Sequence, residues 1–129
     1  MRFISGVCVS VSVWLAAVPL AQSSGARSVR DGVYTATQAD RGGSVYEEKC
    51  TSCHASRMWG SDWPEKSVWD IYDTISNFMP ADNPGSLTPQ QYRDVVAYIL
   101  KTNKLPAGAA ELPESAEELR NIRLDAPAP

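Results

Sequence analysis

The sequence predicts a small all-α fold, and three observations support this prediction. Apolar residues recur at helical spacings of three and four in three separate segments, each preceded by a residue type that caps helices. No run alternates apolar and polar residues over enough positions to predict a strand. The 129 residues, of which 43% are hydrophobic and 21% charged, suit one compact domain and a targeting segment.

The first 26 residues have the layout of a secretory signal peptide. A basic residue precedes an apolar run over residues 3–20, and small polar residues follow that run. Cleavage after Ala26 places small residues at the first and third positions before the cleaved bond, where signal peptides need them. Cleavage after Ala21 would instead place Pro19 at the third position. The alternative is a retained membrane anchor, which the shortness of the run and its internal Ser and Pro residues disfavour.

Residues 27–129 are predicted to form one mature domain that ends in an extended C-terminal tail, from about residue 106 to 129. The leader indicates an exported protein, periplasmic in a bacterium, with no stable membrane insertion after cleavage. The formal net charge is −3, and no cluster of basic residues is present. Nucleic acid is therefore excluded as a partner.

Capping residues and apolar spacing locate the predicted helices in the mature chain. In chain order, these helices and their N-caps are residues 41–51 (Asp40), 67–77 (Ser67), 88–102 (Thr88) and a short turn after Ser115. The third start is the clearest, because Thr88 is followed by Pro89 and by Gln91 in the capping-box position. Residues 27–38 lack apolar periodicity and are predicted to be an extended arm. Residues 79–87 contain two prolines and are predicted to be a shaped loop.

The segment Cys50-Thr51-Ser52-Cys53-His54 follows the first predicted helix. Two thiols three positions apart, followed directly by an imidazole, are the pattern that attaches a c-type haem, with His54 as an iron ligand. The alternatives are a redox CxxC pair, half of a zinc site and a Cys50–Cys53 disulfide. A dithiol does not need the histidine, and a zinc site needs two more Cys or His ligands than remain after the leader. The sequence therefore predicts one haem c bound covalently through Cys50 and Cys53.

The second axial ligand of the iron is expected to be a methionine, because His54 is the one histidine of the sequence. Met58 and Met79 are the candidates in the mature chain. Four residues leave Met58 little chain to pass round the porphyrin edge, whereas the 25 residues to Met79 suffice. Pro80 restricts the backbone beside Met79, so Met79 is the predicted ligand and Met58 is assigned to packing. Two axial ligands leave no open position for a substrate, so an electron carrier is predicted rather than an enzyme.

Further contacts to the haem are less specific. The second ring nitrogen of His54 is expected to donate to a backbone carbonyl, for which Pro64 is a candidate. Arg57 and Lys66 are either partners of the haem propionates or solvated surface charges.

The chain resembles class I c-type cytochromes from Gly42 to Leu100. The residues that carry the resemblance are Gly42, Tyr46, Cys50, Cys53, His54, Met79-Pro80 and Tyr98. The resemblance implies three to four short helices wrapped round one haem, with His54 and Met79 as axial ligands. It also implies that Gly42 and Tyr46 of the first helix contact Tyr98 of the last. The short run between the haem motif and residue 67 departs from longer members of the family.

Two loops, residues 79–87 and 105–108, together with Val96-Ala97-Tyr98, are similar to cytochromes that serve quinoprotein alcohol dehydrogenases. This similarity implies a periplasmic quinoprotein dehydrogenase as electron donor and an oxidase or another cytochrome as acceptor. One alternative is a fixed haem-bearing subunit of a quinoprotein dehydrogenase complex. The other is a thiol–disulfide oxidoreductase using Cys50 and Cys53, which the lack of a βαβ pattern disfavours.

Overall fold

The computed structural model describes residues 25–54 and 65–125, which form a helical domain with one very small sheet. In chain order the elements are β1 (Arg27–Ser28), a 3₁₀ turn (Val29–Asp31), α1 (Ala36–Lys49), α2 (Val68–Phe78), α3 (Pro89–Thr102), α4 (Ala116–Arg120) and β2 (Ile122–Arg123). The strands β1 and β2 pair in parallel. The predicted all-α class is confirmed, and no helix within the described ranges is long and apolar enough to cross a bilayer.

Some sequence predictions concern residues that the structure does not describe. The leader falls there except for its last two residues, as do Met58, proposed for packing, and Pro64, proposed as the acceptor for His54. Arg57, one of the two possible propionate partners, also lies outside the described residues.

The predicted starts of the last three helices are confirmed by their hydrogen bonds. At α3, the Thr88 hydroxyl accepts from the Gln91 N–H at 3.2 Å, and the Gln91 side chain accepts from the Thr88 N–H at 2.9 Å. At α2, the Ser67 N–H donates to the Asp70 carboxylate at 2.6 Å, and α4 begins directly after Ser115. These contacts satisfy backbone groups that have no partner within the helix, and so they determine where each helix begins.

The start of α1 differs from the prediction. Its N-cap is Thr35 rather than Asp40, and the Thr35 hydroxyl accepts from the Gln38 N–H at 3.0 Å. Asp40 instead forms an ion pair with Lys101 of α3, with 2.5 Å between the charged atoms. The first turn buries the polar side chain of Gln38 and the small one of Ala39. It therefore lacks the large apolar residues by which an amphipathic helix is recognised.

Residues 27–38 belong to the core and are not a simple extended arm. Val29, Val33 and Tyr34 are at most 1% exposed. The Tyr34 hydroxyl donates to the carbonyl of Leu105 at 2.6 Å, which joins this segment to the chain that follows α3. The three side chains lie in and after a short 3₁₀ turn, where burial follows no helical period.

The C-terminal segment is packed more deeply than a tail lying on the surface. Leu112, Leu119, Ile122 and Leu124 are at most 3% exposed. The Leu112 N–H also donates to the buried side-chain oxygen of Gln38 at 2.9 Å. Residues 106–125 therefore complete the core against α1 and α2.

The helices α1 and α3 approach each other closely, which positions the end of α1. A Cβ atom on Gly42 would lie 1.8 Å from the carbonyl oxygen of Asp94 in α3. The rings of Tyr46 and Tyr98 pack at 5.2 Å between centroids, so the contact expected between these aromatic residues is confirmed. The glycine that faces the Tyr98 ring is Gly43, whereas Gly42 meets the backbone of α3.

Candidate functional site

The motif from Cys50 to His54 forms a tight turn at the end of α1. The Cys50 N–H donates to the carbonyl of Tyr46 at 2.9 Å and so closes the helix. The Cys50 carbonyl then accepts from the N–H groups of Cys53, at 3.1 Å, and His54, at 2.9 Å. Both thiols are free, and the side chains of all three motif residues line the same cavity.

Met79 reaches that cavity from the end of α2. Its N–H donates to the Ile75 carbonyl at 3.0 Å, and its extended backbone (φ −126°, ψ 150°) ends the helix. The hydroxyl of Tyr92 in α3 donates to the Met79 carbonyl at 2.8 Å. The Tyr92 hydroxyl also accepts from the Leu87 N–H at 3.4 Å, so it contacts both ends of the loop over residues 79–87.

The four predicted site residues, Cys50, Cys53, His54 and Met79, lie around one cavity of about 550 Å³. Its larger apolar and aromatic lining residues are Tyr46, Ile75, Leu87, Tyr92, Val95 and Ile99. The volume is within the range of about 300–1,000 Å³ found for small-molecule and cofactor sites. One imidazole, one thioether and two free thiols around a largely apolar cavity are the donor set of a covalently attached haem. The residues present therefore fit haem c.

Burial and charge define the chemistry of the site. The thiol of Cys50 is half-buried, and this burial raises its pKa. A raised pKa keeps the sulfur as a neutral thiol, whereas a thiol–disulfide oxidoreductase needs a thiolate. The cavity rim carries Glu48, Lys49 and Asp82. Lys49 pairs with Glu48 at 2.7 Å, and this hydrogen bond raises the pKa of Lys49, with a smaller contribution from Asp82.

The other possible propionate partner, Lys66, does not line this cavity. It lines a separate surface cleft of about 680 Å³ together with Trp69 and Arg120, whose guanidinium lies 4.3 Å from the centre of the Trp69 ring. In the described part of the chain, no group of three or more His, Cys, Asp or Glu residues is placed to hold a metal ion.

The hydrogen bonds between the Tyr92 hydroxyl and the Met79 loop were not predicted from the sequence. Helical spacing assigns Tyr92 to the apolar face of α3, and the residue is indeed buried, with 4% exposure. The available signal was its residue type, because a buried tyrosine usually hydrogen-bonds through its hydroxyl. The partners Met79 and Leu87 lie in a loop without periodicity, so the sequence did not identify them.

Comparison with known families supports a cytochrome. The family described as "Cytochrome C oxidase, cbb3-type, subunit III" matches residues 37–99, just under half of the chain. No curated protein and no solved structure matches the sequence. The family match, together with the four α-helices and two very short strands of the described residues, agrees with the class I cytochrome c fold predicted from the sequence. The matched family is an oxidase subunit, so the similarity to cytochromes of quinoprotein dehydrogenases stays a prediction.

Proposed function

We propose that this protein is a periplasmic monohaem cytochrome c that carries single electrons from a dehydrogenase to an oxidase or another cytochrome. The observation that supports this proposal most strongly is the arrangement of Cys50, Cys53, His54 and Met79 around one apolar cavity. When bound, the haem supplies a reversible one-electron ferric/ferrous couple. The family match supports a haem-binding electron carrier.

Each of the four side chains has a distinct role in this proposal. Cys50 and Cys53 hold the porphyrin through two thioether bonds, so a carrier that moves between partners does not lose its cofactor. His54 supplies the imidazole ligand, and its backbone is tied to Cys50 by the turn at the end of α1. Met79 would supply a thioether ligand, which favours ferrous iron and raises the reduction potential.

The cavity wall tunes the site by excluding water. Ile75 and Ile99 are at most 4% exposed in the folded chain, and both line the cavity. A wall of such residues lowers the local dielectric and thereby influences the reduction potential. With His54 and Met79 both bound to the iron, no position would be left for a substrate, and the protein would act as a carrier and not as an enzyme.

The visible spectrum of the protein, exported together with haem-maturation machinery, tests the proposal. We expect a Soret band, one covalent haem per chain and the weak ferric absorption at long wavelength that reports an iron–thioether bond. Free thiols and no Soret band would contradict the haem assignment.

The variant Met79→Leu tests the axial ligand. Leucine keeps a similar volume, so the packing cost should be about 1 kcal/mol. We expect the thioether absorption to disappear, the reduction potential to fall and small exogenous ligands to bind the iron. Met58→Leu is the matched control and should preserve all three properties. The opposite pattern in the two variants would show that Met58 is the ligand.

A fixed subunit of a larger redox complex is the second candidate function. The observation in its favour is the match to a family described as an oxidase subunit. A fixed subunit should co-purify with other redox proteins at constant stoichiometry from gently solubilised cells. A free carrier should elute alone at the size of one chain.

A further inference from the structure

We propose that Tyr92 is a positioning residue for Met79, because its hydroxyl fastens both ends of the loop over residues 79–87. This inference rests on the proposed function, in which Met79 is an iron ligand. In this inference, the first turns of α3 help to hold Met79, a weak thioether ligand, in place. The assignment goes beyond the four haem-binding residues.

The hydrogen bonds of the Tyr92 hydroxyl are the first argument. It donates to the Met79 carbonyl at 2.8 Å and accepts from the Leu87 N–H at a longer 3.4 Å. A hydroxyl has one proton and two lone pairs, so it can make both contacts at once. One oxygen atom thus links two backbone positions eight residues apart in the sequence.

The rigid setting of the Tyr92 ring is the second argument. The residue is 4% exposed and lies just after the capped first turn of α3. Its ring meets that of Tyr72 in α2 edge to face, at 6.4 Å between centroids and 83° between planes. Met79 follows the last residue of α2, so the packing of α2 against α3 determines where the hydroxyl meets the Met79 carbonyl.

Within residues 25–54 and 65–125, few other hydrogen bonds support the loop, which is the third argument. Residues 81–86 are exposed, and the Asn83 N–H bonds within the loop to the Pro80 carbonyl at 3.0 Å. If the Tyr92 hydroxyl were removed, the half-buried Met79 carbonyl would lose a hydrogen bond. A loop that is less well fixed would place the Met79 sulfur at the iron for a smaller fraction of the time.

The variant Tyr92→Phe tests this role, because it keeps the ring and removes both hydrogen bonds. Tyr98→Phe is the matched control: Tyr98 lies on the same helix, packs against the Tyr46 ring and does not line the cofactor cavity. Both variants should be purified with haem and titrated, in the ferric state, with imidazole, which competes with the methionine for the iron.

We expect imidazole to bind Tyr92→Phe about tenfold more tightly than wild type, with weaker thioether absorption and a lower reduction potential. Tyr98→Phe should stay within about twofold of wild type. A tyrosine that is merely structural would lower the unfolding midpoint without changing imidazole affinity or potential. Wild-type values for both properties in Tyr92→Phe would overturn the inference.

Amide hydrogen exchange of the wild-type protein gives a test that does not depend on a variant folding. The Leu87 N–H should exchange more slowly than the amides of the exposed residues Ala81, Asp82, Gly85 and Ser86, because the Tyr92 hydroxyl protects it. Equal exchange rates would count against the inference. A wild-type protein without haem or thioether absorption would refute the proposed function itself, so the two failures are distinguishable.

Discussion

Replacement of Gly42 by alanine tests the close packing of α1 on α3. The added Cβ would lie 1.8 Å from the carbonyl oxygen of Asp94 and 2.9 Å from the backbone nitrogen of Val95. Ordinary contact begins at 3.4 Å, so the helices would have to separate by about 1.6 Å at this point. The obstructing atoms belong to the backbone of α3 and cannot rotate away as a side chain could.

The expected loss of stability follows from three contributions. Overpacking a close contact typically costs about 1–3 kcal/mol, and a clash with backbone belongs at the upper end of this range. Separation of the helices would also disturb the stacking of Tyr46 on Tyr98, and such pairs contribute about 0.5–1.5 kcal/mol. The higher helix propensity of alanine offsets about 1 kcal/mol of this loss of stability. We expect Gly42→Ala to lower the free energy of unfolding by about 2–4 kcal/mol.

Guanidinium unfolding of the haem-loaded protein measures this difference, provided that the slope of the transition is unchanged. Gly43→Ala is the control, because its Cβ would lie 3.2 Å from the side chain of Tyr98, which can shift by a few tenths of an ångström. Its stability should remain within about 1 kcal/mol of wild type, since helix propensity offsets the small shift. If Gly42→Ala were as stable as Gly43→Ala, the inferred helix contact would be wrong.

Two further predictions concern the cap of α2 and the electron donor. Burial opposes ionisation of Asp70, but its hydrogen bonds from Ser67 outweigh this effect and lower its pKa. The stability that the ionised carboxylate contributes should be present above about pH 4 and disappear as the pH falls through the lowered pKa. The difference in unfolding midpoint between wild type and Asp70→Asn should therefore shrink in acid, and a constant difference would contradict this assignment. In stopped-flow experiments, a periplasmic quinoprotein dehydrogenase should reduce the ferric protein faster than unrelated dehydrogenases do, and added salt should slow the reaction if charges steer the encounter. Equal rates with all donors would remove the support for a dedicated partner.

The local chemistry of this protein can be predicted from its sequence. The caps at Ser67, Thr88 and Ser115 each involve residues three positions apart, so residue type and spacing are sufficient to locate them. The same is true of the turn from Cys50 to His54, whose hydrogen bonds span three and four residues. The prediction that this motif shares a site with the distant Met79 depends also on the length of chain between the two.

The core outside the helices and the support of the Met79 loop depend on tertiary structure. Tyr34 forms a hydrogen bond with Leu105, which is 71 residues further along the sequence. Gln38 forms one with Leu112, which is 74 residues further along. The contact between the Tyr92 hydroxyl and the Met79 loop likewise depends on the packing of α2 against α3. Buried side chains in non-helical segments do not recur at a regular spacing. Their burial depends on partners far along the chain, so no local sequence pattern predicts it. Folding brings these partners together, and with them the cavity that the four site residues share.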